Sequence, residues 1–427
     1  MSRSISFASL ASSSPSILSR SSALARVVLV GWLSIFGLSQ AMPALAVSPP
    51  SGVEAPSWLL LDGDSGQVLA ERDADQRRAM ASLTKLMTTF VVFRAIEAGR
   101  LDWDETVTVP QAVREVAGDE SKMYLVPGER ISIATLMRGL TIASANDAAI
   151  TLAVAQAGDI SRFVAEMNQE AARLGMRDTR FANVSGITAP GHYSTARDLG
   201  RLALALTREF PGYYQISAEP VFRHGQFVKH ATNLMVGGDD RSVDGLKTGY
   251  TSAAGYCVIA SAKRPQANGG SRRMFAVVLG ADSDLRRFDD AKVLLDYGYN
   301  RFRNVQLARA GVPFGDLPIW KGASDQLGVA TDHDLVLSLP DDIDPKGLRS
   351  ELVGARAPLL APISAGEAVG SYRVLLGERV VASGALYAVE PVAEGGFISR
   401  TVDAVRLLFG GGEPIAVQGD APLARRG

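Results

Sequence analysis

Cysteine is almost absent from this chain: Cys257 is the one example in 427 residues, which excludes an intramolecular disulfide framework. It sits in Ala254-Gly255-Tyr256-Cys257-Val258-Ile259-Ala260, where a small buried strand residue is expected. Histidine is scarce too, with only His192, His224, His230 and His333. Neither His-Glu-x-x-His nor Gly-x-Ser-x-Gly occurs, so zinc-protease and nucleophile-elbow signatures are missing and a Ser-His-Asp hydrolase is only a formal alternative. The histidines are expected in structural roles, and no metal or cofactor is called for. Strong charge is lacking as well, at a formal −1, which offers no electrostatic basis for binding nucleic acid.

Long apolar runs are also missing. The most apolar stretch, Val27 to Leu38, falls short of the roughly 20 residues a spanning helix needs. It follows a Ser/Arg-rich start without any acid and precedes Ala44-Leu45-Ala46, the order of a cleavable export signal ending at Ala46. Loss of Arg3, Arg20 and Arg26 with that segment takes the formal charge from −1 to −4. With 47% hydrophobic and 21% charged residues, the chain is of ordinary globular composition and long enough for two domains.

Ser57 to Asp62 and Gly66 to Ala70 are apolar runs around Gly63-Asp64-Ser65-Gly66 and predict a hairpin. Leu83, Met87, Phe90, Val91 and Ile96 form a helical stripe that places Ser82 at a helix start. Thr135 to Ala157 and Ser161 to Leu174 also read as helices. Strand patterns return at Tyr256 to Ala262 and Met274 to Leu279 around a polar turn, before a helix from about Arg286 to Tyr297. This order predicts an α/β fold whose sheet draws strands from both ends of the segment. From about Leu307, short β-branched runs such as Leu335 to Leu339 predict a small all-β domain. Ile398, Val402, Val405 and Phe409 then recur at helical spacing, so this amphipathic helix either lies on a membrane surface or packs on its own domain.

Three short patterns carry the chemistry. Ser82-Leu83-Thr84-Lys85 sets a hydroxyl and an amine on one helix face, where Lys85 can serve as base once burial and a nearby ammonium such as Lys247 lower its pKa. The helix start also aims N–H groups, including that of Ser82, at a developing oxyanion. Ser144-Ala145-Asn146 supplies a proton relay in Ser144 and, in Asn146, a group for a substrate amide and the Lys85 ammonium. Lys247-Thr248-Gly249 offers a cation and a hydroxyl for a terminal carboxylate, with Gly249 sparing a Cβ beside an edge strand. Ser-x-x-Lys alone is weak. Here no other lysine has a serine three residues before it, and Ser-x-Asn and Lys-Thr-Gly each occur once.

The three elements in this order are those of penicillin-binding proteins and serine β-lactamases. With Phe181-Ala182-Asn183-Val184-Ser185-Gly186, His192 to Leu199 and Val243 to Thr251, the chain resembles the D-alanyl-D-alanine carboxypeptidases, the low-molecular-mass penicillin-binding proteins of the type-5 and type-6 kind. The likeness covers roughly residues 50 to 305 closely and the rest more loosely. It implies the transpeptidase-like fold, periplasmic residence, removal of the terminal D-Ala from peptidoglycan stem peptides through a Ser82 acyl-enzyme, and inhibition by β-lactams. It also implies a second oxyanion N–H from Tyr250 and an arginine near the substrate carboxylate, Arg287, with Arg286 beside it. The expected organisation is a signal at 1–46, a catalytic domain at 47–305, a β-rich domain at 306–392, the amphipathic helix at 396–409 and a disordered tail at 410–427. A D,D-endopeptidase stays open, ahead of a β-lactamase or a non-catalytic wall-binding protein.

Overall fold

Leu59 and Leu61 alternate with Trp58 and Leu60 along Ser57–Asp62 (β1), and the two sets bury on opposite faces. A strand apolar on both faces belongs inside a sheet covered on both sides. The computed structural model describes residues 48–266, 270–356, 358–408 and 416–420, which fall in one compact unit, and the expected signal segment lies outside them. Val68–Arg72 (β2) returns antiparallel to β1, as the hairpin pattern predicts.

A single 3-10 turn at Ala81–Thr84 runs into Lys85–Glu97 (α1). Thr106–Thr108 (β3) pairs with Arg130–Ser132 (β4), after which Ser132 caps Ile133–Ile142 (α2). Asn146–Ala157 (α3), Ile160–Arg173 (α4), Ala196–Glu209 (α5) and Tyr213–Ser217 (α6) come next, with Asp159 and Thr195 capping α4 and α5. Val221–His224 (β5) and Phe227–His230 (β6) form a short hairpin. Val243–Thr251 (β7), Gly255–Pro265 (β8) and Ser271–Ala281 (β9) then complete an antiparallel sheet in the order β2-β1-β9-β8-β7. The Ser283-capped helix Asp284–Arg301 (α7) closes the segment.

The sheet thus unites both ends of the segment, as expected. Leu59, Leu61, Ile259, Phe275 and Val277 face the helical block, whose Phe90, Leu140, Leu152, Phe163 and Leu202 share one core. Trp58, Leu60, Val258, Met274 and Val278 face α7 through Ala291, Leu294 and Leu295. One prediction is corrected here: 135–157 is not a single helix. Ser144 takes φ +58° and Ala145 is extended, while the Asn146 N–H donates to Ser121 O at 2.8 Å instead of continuing a ladder. The apolar periodicity runs through the break because α2 and α3 bury in the same core.

Beyond α7, Phe302–Ala308 (β10), Gly315–Pro318 (β11), Gln326–Ala330 (β12), Leu335–Pro340 (β13), Leu348–Gly354 (β14), Ala368–Leu376 (β15) and Arg379–Ala388 (β16) build the all-β part around its own core of Leu317, Val329, Leu337, Leu352, Val374 and Leu386. Phe397–Leu408 (α8) forms where the apolar spacing predicts it, and Phe409 lies outside the described residues. Its Asp403 accepts the Lys321 N–H at 2.6 Å, while Phe397, Ile398 and Leu408 are exposed. Among the described residues, no helix is long and apolar enough to cross a membrane. The expected disorder of the tail is corrected at Ala416–Asp420 (β17), which pairs antiparallel with β14; 410–415 and 421–427 lie outside the described residues.

A buried charge ties the two parts together. Arg272 on β9 donates to Asp62 Oδ2 at 2.7 Å, Phe302 O at 2.5 Å and Ser338 Oγ at 2.5 Å. Asn304 and Ser65 donate to the other Asp62 oxygen. Removing one member of such a pair strands the other in the interior. Arg272→Ala is therefore expected to lower unfolding stability by about 3–5 kcal/mol, measured by urea denaturation, and a loss under about 1 kcal/mol would show that the network carries little.

Candidate active site

Ser82 sits in the 3-10 turn that opens onto α1, directly after Ala81 at φ +48°. Positive φ at a residue with a Cβ is strained, and so is Ser144 at φ +58°; the two strained positions flank the same cleft. One turn along, Lys85 Nζ lies 2.8 Å from Ser82 Oγ and donates to Ser185 O at 2.6 Å. Lys85 is 1% exposed. Burial lowers its pKa from 10.5 to about 7, although the charges of Glu120 and Asp147 pull the other way. About half of such lysines are neutral at pH 7, against under roughly one in a thousand for a free side chain. The neutral amine at this distance can take the hydroxyl proton.

A second lysine comes from the sheet edge. Lys247 on β7 is also buried, and its Nζ donates to Ser144 Oγ and Thr248 O, both at 2.9 Å. Burial, then Lys85, then Arg287 hold its pKa well below the ordinary lysine value. Thr248 donates its hydroxyl proton to Thr232 Oγ1 at 2.7 Å. Tyr250 is exposed and its ring leans on Tyr256 with centroids 4.4 Å apart, so what it can offer the cleft is its backbone N–H.

Two expectations shift. Asn146 does not bond to Lys85; its Nδ2 donates to Glu120 Oε2 at 2.5 Å, and its buried Oδ1 has no partner among the described residues. Gly249 spares room for the chain itself as much as for a substrate, because a Cβ there would lie 2.9 Å from the Ser82 nitrogen. Arg287, not Arg286, reaches the strand: it donates to Gly249 O at 3.2 Å and pairs with Asp284, while Arg286 pairs with Glu54.

Several supports carry no motif letter. Ser185 O receives Lys85, and Asn183 Oδ1 accepts from the Ser185 and Gly186 N–H groups to shape that turn. Gly186, at φ +96°, lies so close that a Cβ would be 1.9 Å from Ala81 O. Ala182 N donates to His192 Nδ1 at 3.0 Å, which leaves the proton on Nε2 facing Thr84 Oγ1 at 2.7 Å. Burial lowers the His192 pKa to about 4, so the ring stays neutral and fixes the turn that carries Ser82.

This arrangement has close relatives. The family model described as D-alanyl-D-alanine carboxypeptidase, peptidase S11, matches residues 44–283, and that of the penicillin-binding protein 5 C-terminal domain matches 302–394. The chain belongs to the D-alanyl-D-alanine carboxypeptidase family. It is 36% identical over 385 residues to D-alanyl-D-alanine carboxypeptidase DacD of Salmonella typhimurium, covering 88% of this chain and 97% of that one. Penicillin-binding protein 5 from Haemophilus influenzae superposes with a TM-score of 0.75 at 30% identity, covering 82% of this chain and all of that one. Penicillin-binding protein D2 from Listeria monocytogenes, solved with ampicillin bound, gives 0.52 at 32% identity over 59% of this chain and 100% of its own.

For this family member, the contact between Gly249 and the Ser82 turn gives a sharp test. Gly249→Ala would press a Cβ to within 3.0 Å of Ala81 Cβ and 3.1 Å of Met80 O as well as against Ser82 N. The expected outcome is a loss of at least about 100-fold in the rate of Ser82 acylation with an unchanged circular dichroism spectrum. A wild-type rate would mean the turn can move aside freely.

Proposed function

We propose that the chain is a serine-type D-Ala-D-Ala carboxypeptidase that removes the terminal D-alanine from peptidoglycan pentapeptide stems through an acyl-enzyme on Ser82. The observation that carries this is the 2.8 Å approach of a buried, easily neutralised Lys85 to the Ser82 hydroxyl. A substrate carboxylate entering beside Lys247 and Thr248 supplies the counter-charge that restores the Lys247 ammonium. The scissile carbonyl then lies at the Ser82 turn, with the N–H groups of Ser82 and Tyr250 as oxyanion donors.

Lys85 takes the Ser82 proton as Oγ bonds to the carbonyl carbon. The tetrahedral oxyanion collapses, the peptide C–N bond breaks, and the proton reaches the leaving amine through Ser144, which Lys247 holds in place. Arg287 keeps the Gly249 carbonyl, and so the strand behind the substrate, in position. Water resolves the ester in a second, mirrored transfer. A β-lactam offers the same kind of carbonyl and is expected to acylate Ser82. The export-signal pattern before residue 47 supports residence in the periplasm, and the exposed apolar side chains of α8 support contact with the outer face of the inner membrane.

Two incubations test this reading. A labelled penicillin should form one adduct on Ser82 by mass spectrometry and none on Ser82→Ala, and a pentapeptide stem should release free D-alanine. Wild type without an adduct, or an undiminished adduct on Ser82→Ala, overturns the mechanism. Release from cross-linked muropeptides alone would reassign the enzyme as an endopeptidase.

A further inference from the structure

Glu120 meets the active site from a loop outside all three motifs. Its Oε2 accepts the Asn146 Nδ2 proton at 2.5 Å and its Oε1 accepts the Ala117 N–H at 3.2 Å. No ion pair involves it among the described residues. The loop is firmly set, since Ser121 O accepts the Asn146 N–H and the Asp147 carboxylate accepts the N–H groups of Met123, Leu125 and Ala148. Asp147 is thus committed to backbone donors, whereas Glu120 has one backbone N–H and the neutral Asn146 amide. An amide whose nitrogen donates to a carboxylate cannot also turn its oxygen that way. The Asn146 Oδ1 is accordingly left buried and unfilled among the described residues.

We propose, resting on the reading of Ser82 and Lys85 above, that Glu120 is a positioning residue of the acyl-transfer site: it locks the Asn146 amide with its oxygen free for an incoming N–H or the Lys85 ammonium, and sets a negative charge beside the lysine that accepts the Ser82 proton. The proton moves from Ser82 Oγ to Lys85 Nζ and on to the leaving amine, and Glu120 keeps its charge throughout. The charged groups around Lys85 are then Glu120 and Asp147 on the loop and α3, Lys247 on β7, and Arg287 on α7 behind Lys247. Of the two acids, Glu120 is the one whose removal leaves the Asp147 anchors of the loop in place and costs the backbone a single bond, that from the Ala117 N–H. A negative neighbour makes Lys85 a stronger base but keeps it protonated to higher pH.

Charge and orientation separate in two variants, read by the second-order rate of acylation by a chromogenic cephalosporin between pH 5 and 9. In Glu120→Gln the amide oxygen can still accept from Asn146 while the charge is gone. Its acid limb should move to lower pH by on the order of one unit, with a plateau within about fivefold of wild type. Glu120→Ala should show the same limb shift with a plateau at least about tenfold lower, because Asn146 is released. Wild-type limbs in both variants, with or without a uniform fall in rate, would reduce Glu120 to a structural loop residue and overturn the proposal. An unacylated wild type would instead sink the reading of Ser82, so the two failures are distinguishable.

Discussion

Everything in the cleft depends on keeping two lysines out of water within one site. Lys85 and Lys247 are both buried, and among the described residues each finds only hydroxyl or carbonyl partners: Ser82 and Ser185 for one, Ser144 and Thr248 for the other. Taking Lys85 from 10.5 to about 7 disfavours its cation by about 5 kcal/mol. That cost is what turns a surface-type amine into a base. Burial and the neighbouring Lys85 and Arg287 hold Lys247 well below its ordinary value as well, which makes a carboxylate the natural partner to restore its charge.

Such a site needs several chain segments at van der Waals distance, and the fold achieves this with backbone rather than side chains. The edge strand β7 runs beside the Ser82 turn because Gly249 has no Cβ, and the 183–186 turn closes over the same place because Gly186 has none. Ala81 and Ser144 hold strained backbone so that Ser82 and Asn146 enter their helices from the cleft side. The surrounding core pins these strains: Leu83, Leu86, Ala143, Ala145 and Ala148 belong to one continuous cluster. A neutral His192 adds a hydrogen bond to Thr84 from behind.

How much of this is legible in the sequence depends on the range of each signal. Ser82 and Lys85 are readable because a helix fixes the distance between i and i+3, and Lys247 because a lone Lys-Thr-Gly on an apolar run implies a strand. The sheet built from both ends is readable from strand patterns on either side of a helical block. The break at Ser144 is not, since both flanking helices bury in one core and the apolar period passes through it. Nor is the bond from Asn146 to Glu120, because a loop residue 26 positions away shares no period with its partner. Ser185 acts through its carbonyl, which no side-chain pattern can reveal. In the tail, a composition rich in Gly, Pro and Ala predicts disorder, yet the open edge of β14 recruits 416–420 as a strand.

If burial makes Lys85 a base in the resting enzyme, its titration must show it. NMR titration of lysine labelled at Cε measures this directly, with the Lys85 signal assigned by its disappearance in Lys85→Arg. The expected result is a Lys85 resonance with a midpoint of about 7. A Lys85 midpoint above about 10, that of an ordinary solvated lysine, would contradict it.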